Sequence, residues 1–295
     1  MNSMTATLRI LEPHPGIFAY YDGRVPGKRL HGPERNWLDD GAYSLGVASY
    51  AILDGSEALV YDTHISLEHA QAIRAHLEAR GARTVRVVLS HWHKDHVAGN
   101  AVFADCEIIA LALTAQRLAE NREVIETATP PINHLVMPTR LFDGKLDLTI
   151  GSRRVELHHF AIHSADGNVV WLPEEKLLLA GDTLEDSVTY ISEAGDVPRH
   201  IDELDRMSNW PIERILPAHG DLERIASGGY GPELIGANRA YLQRLLNALQ
   251  HGEEVDPGLR SFAASEIASG AIVYFSAYET VHRDNIAALS AALAR

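Results

Sequence analysis

The sequence predicts an α/β fold in which helices and strands are mixed along the whole chain. Residues 57–90 show a strand–helix–strand pattern, residues 107–113 and 168–181 contain further apolar runs of strand length, and residues 232–250 have a strong helical pattern. Helices that alternate with strands are typical of α/β proteins. No linker clearly divides the chain, so we expect a single domain over residues 1–295.

The early strands are expected to pair. Apolar runs at 47–53 and 57–63 flank the dipeptide Asp54-Gly55, which favours a hairpin turn. Residues 23–46 are rich in Gly, Pro and charged residues and are predicted to form a long loop. A loop of that length in a compact domain is often functional.

A helix is predicted over residues 66–80, because Ser66 can cap its first turn and Gly81 follows its last turn. Residues 84–90 then form a β-branched strand that is apolar enough to be buried. With the strand before the helix they make a βαβ unit. Open α/β sheets bind ligands outside the carboxyl ends of their strands, so the polar residues that follow this strand are candidates for a site.

The second half of the chain is also mixed. The other elements expected are a strand at 107–113, a helix at 114–128, hairpins at 145–160 and 168–181, a strand at 213–220, a helix at 232–250 and a mostly helical tail from residue 258. We treat residues from about 232 to 295 as a helical C-terminal extension of the same domain. Its sequence fits a dimer surface as well as a lid over a substrate.

Three histidines and an aspartate lie within six positions in "SHWHKDHVAGN", residues 90–100. Histidine is the commonest metal ligand in proteins. His91 and His93 are two positions apart, so their side chains can point to the same side of an extended segment. Asp95 and His96 are adjacent and cannot easily bind the same ion. The segment therefore predicts two ions, one bound by His91 and His93 and the other by Asp95 and His96.

Three polar side chains downstream complete the predicted ligand set. His163, Asp182 and His219 each follow an apolar strand at a sharp turn that contains Gly or Ala. Because they share this placement, we expect them to converge at one edge of the sheet structure. His158 and His159 are less favoured than His163, since they lie inside a predicted strand.

These seven positions, in this order and at these separations, resemble the metallo-β-lactamase superfamily over about residues 45–220. The resemblance implies a four-layer αββα sandwich of two mixed β-sheets flanked by helices, with the metals at one edge. It assigns the first metal to His91, His93 and His163, the second metal to Asp95, His96 and His219, and the bridging position to Asp182. Asp62, at the end of the strand that contains "YDT", would orient the ligand loop by hydrogen bonds.

The resemblance further implies a metal-dependent hydrolase. Its cofactors would be two divalent ions, most simply zinc, with iron or manganese as alternatives. Zinc lowers the pKa of bound water to about 7, so hydroxide would be present at neutral pH. Asp95 is predicted to be a catalytic residue that moves the proton as well as a ligand.

Differences from known members of the superfamily narrow the range of substrates to be expected. Asp182 argues against a true β-lactamase, and His93 argues against the flavin-linked diiron proteins. Glu185 occupies the position of a tyrosine in acyl-homoserine lactonases, which weakens a lactonase assignment. The tail lacks the clear basic cluster expected of a glyoxalase II. We expect hydrolysis of a small-molecule ester, thioester or lactone.

Other functions remain open from the sequence. A mononuclear iron sulfur dioxygenase of the same fold would use His91, His93 or an equivalent set, with Asp182. A β-lactam or phosphodiester hydrolase and a non-catalytic metal-binding protein are the further alternatives. Substrate specificity is expected to reside in the loops at 23–46 and 183–200.

Four side chains are weaker candidates for the rim of the site. Tyr190 lies in the second specificity loop, and Trp37 and Tyr43 lie in the first. His64 follows "YDT" and could also approach the site.

Composition limits the partners. The formal net charge of −14 repels polyanions at long range, so nucleic acid is not expected. No run approaches the roughly 18 apolar residues of a membrane span, and the N-terminus lacks the features of a signal peptide. The single cysteine, Cys106, excludes an intrachain disulfide and fits a reducing compartment. We expect a cytoplasmic enzyme with a small-molecule substrate and no membrane partner, with a homodimer as an option.

Overall fold

Two mixed β-sheets form the centre of the protein, and helices flank them. The computed structural model describes residues 3–255 and 258–294. Within those ranges one sheet has seven strands and the other has five. The predicted four-layer αββα sandwich is confirmed.

The seven-stranded sheet runs in chain order. Its strands are β1 (Arg9–His14), β2 (Ile17–Asp22), β3 (Val47–Asp54), β4 (Glu57–Tyr61), β5 (Thr84–Val88), β6 (Glu107–Leu111) and β7 (Arg140–Phe142). Neighbours are antiparallel from β1 to β4 and parallel from β4 to β7. The hairpin of β3 with β4 and the parallel pair of β4 with β5 were predicted, whereas β1 and β7 were not.

The five-stranded sheet contains the second half of the strands. They are β8 (Lys145–Ile150), β9 (Arg153–His159), β10 (Asn168–Leu172), β11 (Leu177–Gly181) and β12 (Arg214–Pro217). Pairs from β8 to β11 are antiparallel, and β12 lies parallel to β11. The carboxyl ends of β11 and β12 therefore lie at the same edge.

The helices follow the predicted order with several differences. They are α1 (Leu67–Ala79), α2 (Lys94–Val97), α3 (Ala112–Glu120), α4 (Arg122–Glu126), α5 (Val197–Ser208), α6 (Leu222–Ala226), α7 (Glu233–Gln250), α8 (Leu259–Phe262), α9 (Ala264–Ala268) and α10 (Tyr278–Leu293). The helix predicted at 114–128 is divided at Asn121, whose φ of −102° and ψ of 9° depart from helical values. The loop at 23–46 contains a π-helical segment, Trp37–Tyr43. Helices α2, α5 and α6 were not predicted.

Alternation along the strands builds the core. Tyr50 of β3 and Leu59 of β4 pack with the five-stranded sheet, whereas Ala51 and Val60, one position away in each strand, pack with helix α1. The hydroxyl of Tyr50 donates to the carbonyl of Pro217 at 2.6 Å. This hydrogen bond joins the two sheets at the end of β12, beside the candidate site.

The C-terminal part of the described chain is helical, as expected. Helix α7 packs against α5, and α10 packs against α7. Every helix in residues 3–255 and 258–294 is too short or too polar to cross a membrane. That residues 1–295 form one domain stays a prediction, and residues 1, 2, 256, 257 and 295 lie outside the described residues.

Candidate metal centre

The seven predicted ligand residues lie together where strands of both sheets end. His91 follows β5, His163 follows β9, Asp182 directly follows β11 and His219 follows β12. The other three lie in the short helix α2 or immediately before it. The strand-end placement that suggested their convergence is thus present in the fold.

Their ligand atoms form two groups. The groups are His91, His93, His163 and Asp182, and Asp95, His96, Asp182 and His219. Within each group the ligand atoms all lie within 4.8 Å of one another. This partition is the one that the resemblance implies, and the role of the seven side chains as metal ligands stays a prediction.

Asp182 belongs to both groups. Its Oδ2 lies 3.2 Å from Nε2 of His96, 3.6 Å from Nε2 of His163 and of His219, and 3.7 Å from Nε2 of His91. One carboxylate oxygen thus faces four imidazole nitrogens. That position suits a ligand shared by two cations.

Hydrogen bonds on the outer side of the second group orient its imidazoles. Nδ1 of His96 lies 2.8 Å from Oδ2 of Asp62, and Oδ1 of Asp62 accepts the Ser90 N–H at 2.7 Å. Nδ1 of His219 donates to the carbonyl of Gly46 at 2.6 Å. Both rings therefore present Nε2 to the centre, and Asp62 makes the contacts expected of an orienting residue.

The first group is oriented in the same way. Nδ1 of His163 donates to the carbonyl of Tyr190 at 2.9 Å, which leaves Nε2 facing inward. That Nε2 lies 3.0 Å from Nδ1 of His93, whose Nε2 lies 3.3 Å from the hydroxyl of Ser192. His93 thus faces the centre through Nδ1.

The backbone around the centre is unusual. Asp62 and His163 have φ values of 67° and 66°, in the left-handed region that residues other than glycine rarely adopt. Gly181, with φ 54°, has no room for a side chain, because a Cβ there would lie 2.8 Å from the Tyr61 hydroxyl and 2.9 Å from Cβ of Ser90. Such strain concentrates at functional sites.

The electrostatics favour metal-binding protonation states at His91, His93 and Asp182, whereas at His96 and His219 the neighbouring carboxylates outweigh burial and raise the pKa. Burial, followed by the charge of His96, lowers the pKa of His91 well below its usual range. Burial lowers the pKa of His93 to about 3. Burial opposes ionisation of Asp182, but the charges of His96 and His219 outweigh it and hold its pKa well below normal. Neutral imidazole and ionised carboxylate are the forms that bind metals.

Two atoms of the centre indicate that a cation fits there. Nε2 of His91 and Oδ1 of Asp182 are buried and have no hydrogen-bond partner within the described part of the chain. A buried polar atom without a partner costs about 1–3 kcal/mol, which a bound cation would remove. Histidine and aspartate donors suit zinc and also iron or manganese. The residues present therefore fit divalent metal ions.

The centre lies against a cavity of about 570 Å³, a volume typical of small-molecule sites. The aromatic side chains of Trp37, Trp92 and Tyr190 line one part of the cavity, and Thr280 and Val281 of helix α10 line another part. Both predicted specificity loops therefore contribute to the cavity.

Comparison with known proteins identifies the family. A model described as the metallo-beta-lactamase superfamily matches residues 43–219, which is more than half of the chain. The chain belongs to the metallo-β-lactamase superfamily. The matched segment contains all seven residues of the centre, and members of this superfamily are mostly metal-dependent hydrolases.

Similar proteins are distant in sequence. The beta-lactamase-like protein 2 homolog of Caenorhabditis elegans is 24% identical over 178 residues, which cover 59% of this chain and 56% of that protein. The match thus spans little more than half the length of this curated relative. The DIM-1 metallo-beta-lactamase structure is 21% identical with a TM-score of 0.61 and covers 81% of this chain and 97% of its own. A metallo-beta-lactamase from Pontibacter korlensis is 18% identical with a TM-score of 0.61, covering 80% and 99%. At these identities the solved structures establish the fold alone.

The structure places the four weaker candidates for the rim of the site in different surroundings. Trp37 and Tyr190 lie on the cavity wall. Tyr43 is buried, and its hydroxyl lies 2.9 Å from that of Thr7. His64 is fully buried, with Nε2 3.1 Å from the carbonyl of Tyr20. Neither Tyr43 nor His64 lines the cavity.

The sequence did not identify two parts of the site. Glu185 was noted only as a departure from the lactonases, yet it is buried with Oε1 3.5 Å from Nδ1 of His163. An acidic residue three positions after a predicted ligand is a usable signal for it. The second part is the cavity wall from α10, which lies outside the superfamily match; for this tail the sequence left a lid over the substrate and a dimer surface equally open. Helical periodicity predicts which face of α10 is buried but not what that face packs against.

Proposed function

We propose that the protein is a hydrolase that uses two divalent metal ions, most simply zinc, to cleave an ester, thioester or lactone in a small molecule. The observation that carries this proposal is the pair of four-residue groups that share Asp182 beside a cavity. Two bound ions would polarise a substrate carbonyl and lower the pKa of water in the site. The presence of a second complete group favours this reaction over that of a mononuclear iron dioxygenase.

Asp95 is the residue that we assign to proton transfer. Its Oδ2 lies 3.2 Å from Nε2 of His219 and 3.5 Å from Nε2 of His96. Its side chain is 14% exposed and lines the cavity, so it faces both the centre and a bound substrate. A carboxylate in this place can accept a proton from water and pass it to the leaving group.

The cavity walls suit an acyl compound that carries an anionic group. Trp37, Trp92 and Tyr190 provide apolar contact area. Arg35 and Lys94 also line the cavity, and the side chain of neither has a hydrogen bond or ion pair with another residue of the described ranges. These two cations are therefore available to a carboxylate or phosphate of the substrate.

Metal analysis combined with a substrate panel tests the proposal. The purified protein should contain up to two divalent ions, and the zinc form should hydrolyse members of an aryl ester, thioester and lactone panel. His93→Ala should abolish this turnover, whereas His158→Ala, a histidine outside both groups, should retain it. Oxygen consumption by the iron form without hydrolysis by either form would replace the proposal with the dioxygenase function.

The role of Asp95 has its own test. Asp95→Asn should lose turnover by at least about a hundredfold, as expected for loss of a proton-transfer group, and should retain metal in the group that contains His91. Full activity in this variant would refute the assignment.

A further inference from the structure

Glu185 is a buried carboxylate that lies outside the seven-residue centre. It is 1% exposed and follows Asp182 by three residues. Its Oε1 accepts the N–H of Tyr190 at 2.9 Å, and its Oε2 accepts the hydroxyl of Tyr278 at 3.0 Å. Its charged partner among the described residues is His163, whose Nδ1 lies 3.5 Å from Oε1. A buried carboxylate with neutral donors is most stable when a nearby group carries positive charge, as His163 does when it binds a cation.

The same contacts fix the backbone of Tyr190 and, through it, the ring of His163. The N–H of Tyr190 donates to Glu185, and its carbonyl accepts Nδ1–H of His163 at 2.9 Å. An imidazole that donates from Nδ1 presents the lone pair of Nε2, which here faces Asp182 at 3.6 Å. Outer hydrogen bonds of this kind set the orientation of a ligand and its metal affinity.

Helix α10 supports this arrangement from the C-terminal part of the chain. Tyr278 is the first residue of α10 and is fully buried. Farther along the same helix, Asn285 donates to the carbonyl of Thr189 at 3.0 Å and accepts the N–H of Ile191 at 2.8 Å. Helix α10 therefore holds the segment on both sides of Tyr190, although it lies outside the superfamily match at 43–219.

We propose that Glu185 and Tyr278 are a positioning pair for His163. They hold the backbone of Tyr190 so that the His163 ring keeps its ligating orientation, and they make the affinity of the first metal group depend on the docking of α10. This inference rests on the metal centre of the proposed function, but it does not require that the protein be a hydrolase.

Metal titration of the metal-free protein tests the pair. Cobalt or zinc is added to the wild type, Glu185→Gln, Tyr278→Phe and the double variant. Glu185→Gln should bind the ion of the first group about 10–100-fold more weakly, with altered cobalt absorption bands because the His163 ring is no longer fixed. Tyr278→Phe removes one hydrogen bond to a carboxylate and should weaken binding of the same ion about tenfold. The affinity of the other ion should change by less than about threefold, a margin that covers small structural adjustments.

The chain offers a matched control. The hydroxyl of Tyr274 donates to Oε1 of Glu279 at 2.9 Å, which is the same kind of Tyr–Glu bond in the same tail but outside the centre. Tyr274→Phe should bind both ions as the wild type does. The double variant should lose no more affinity than Glu185→Gln alone, because Tyr278 acts through the carboxylate.

The outcomes separate this inference from the proposed function. Wild-type affinity in both Glu185→Gln and Tyr278→Phe would overturn the positioning pair, as would an equal loss in Tyr274→Phe. Tyr278→Phe keeps the aromatic ring, so it decides the matter even if Glu185→Gln does not fold. A wild type that binds two ions but hydrolyses nothing would refute the hydrolase alone, and the affinities would still decide the role of the pair.

Discussion

Replacing Asp182 by asparagine should weaken both metal groups at once. Asp182 is shared by the two groups, and its Oδ2 lies 3.2–3.7 Å from four imidazole nitrogens. Asparagine has nearly the same shape, but it lacks the negative charge that a shared ligand supplies to two cations. Substitution of a ligand that belongs to one group should instead weaken the binding of one ion only.

The magnitude follows from the number of donors. A structural zinc site with four protein ligands is worth about 10–16 kcal/mol, so one donor contributes about 3 kcal/mol on average. About 1.4 kcal/mol corresponds to a tenfold change in affinity. Loss of Asp182 should therefore lower the affinity for each ion by about a hundredfold. The amide oxygen of asparagine can recover part of this loss.

Competition titrations with a chromophoric chelator measure the two affinities separately. Asp182→Asn should shift both, His91→Ala should shift mainly one, and His219→Ala should shift mainly the other. Asp166→Asn is the matched control, since Asp166 is a fully buried aspartate outside both groups. If Asp182→Asn binds two ions with wild-type affinity, or loses only one of them, the shared-ligand assignment is wrong.

Three further predictions concern residues around the centre. Asp62→Asn removes the charged partner of His96 and should weaken the second group about 10–100-fold in a zinc titration, whereas equal losses in both groups would contradict an orienting role. Burial lowers the pKa of His200 to about 4, below its unfolded value of about 6.5, so the stability that this residue contributes is present above pH 6.5 and falls by up to about 3 kcal/mol as the pH drops toward 4. The free energy of unfolding of metal-free His200→Phe, measured with urea at pH 7.5 and 5, should therefore fall less than that of the wild type, and parallel falls would contradict this. Lys94→Gln should lower kcat/KM about tenfold for an ester that carries a carboxylate, as expected for loss of one charged hydrogen bond, and an equal loss with a neutral ester of the same size would show that Lys94 does not bind the anion.

Strand ends are the part of the site that the sequence predicts best. Asp182 directly follows the apolar run of β11, and His219 follows that of β12. Each run is long enough to be recognised as a strand, and a polar residue after a Gly or Ala turn marks the point where the chain leaves the sheet. Sheet pairing brings such strand ends together. Local sequence patterns therefore predicted that residues far apart in the chain would meet at one site.

Side-chain partners far along the chain are what the sequence could not supply. Tyr278 binds Glu185 from 93 residues away, and nothing in the local pattern of α10 specifies this carboxylate as its partner. Helix α5 is a different case, since Val197, Ile201 and Leu204 are buried at spacings of four and three residues. That periodicity is present in the sequence, but the predicted specificity loop at 183–200 covers only the first residues of α5, and no element was predicted for the rest of the helix.

Two separable parts of the chain therefore build the site. The seven-residue centre depends on strand ends, which are fixed by sheet pairing and by bonds between the sheets such as that from Tyr50 to Pro217. The cavity depends on the loop that contains Trp37 and on helix α10, neither of which supplies a predicted ligand. Changes in these walls can alter which substrate fits while leaving the metal ligands in place. The bond between Tyr278 and Glu185 is the point where the two parts meet, so a change there should affect the centre as well as the wall.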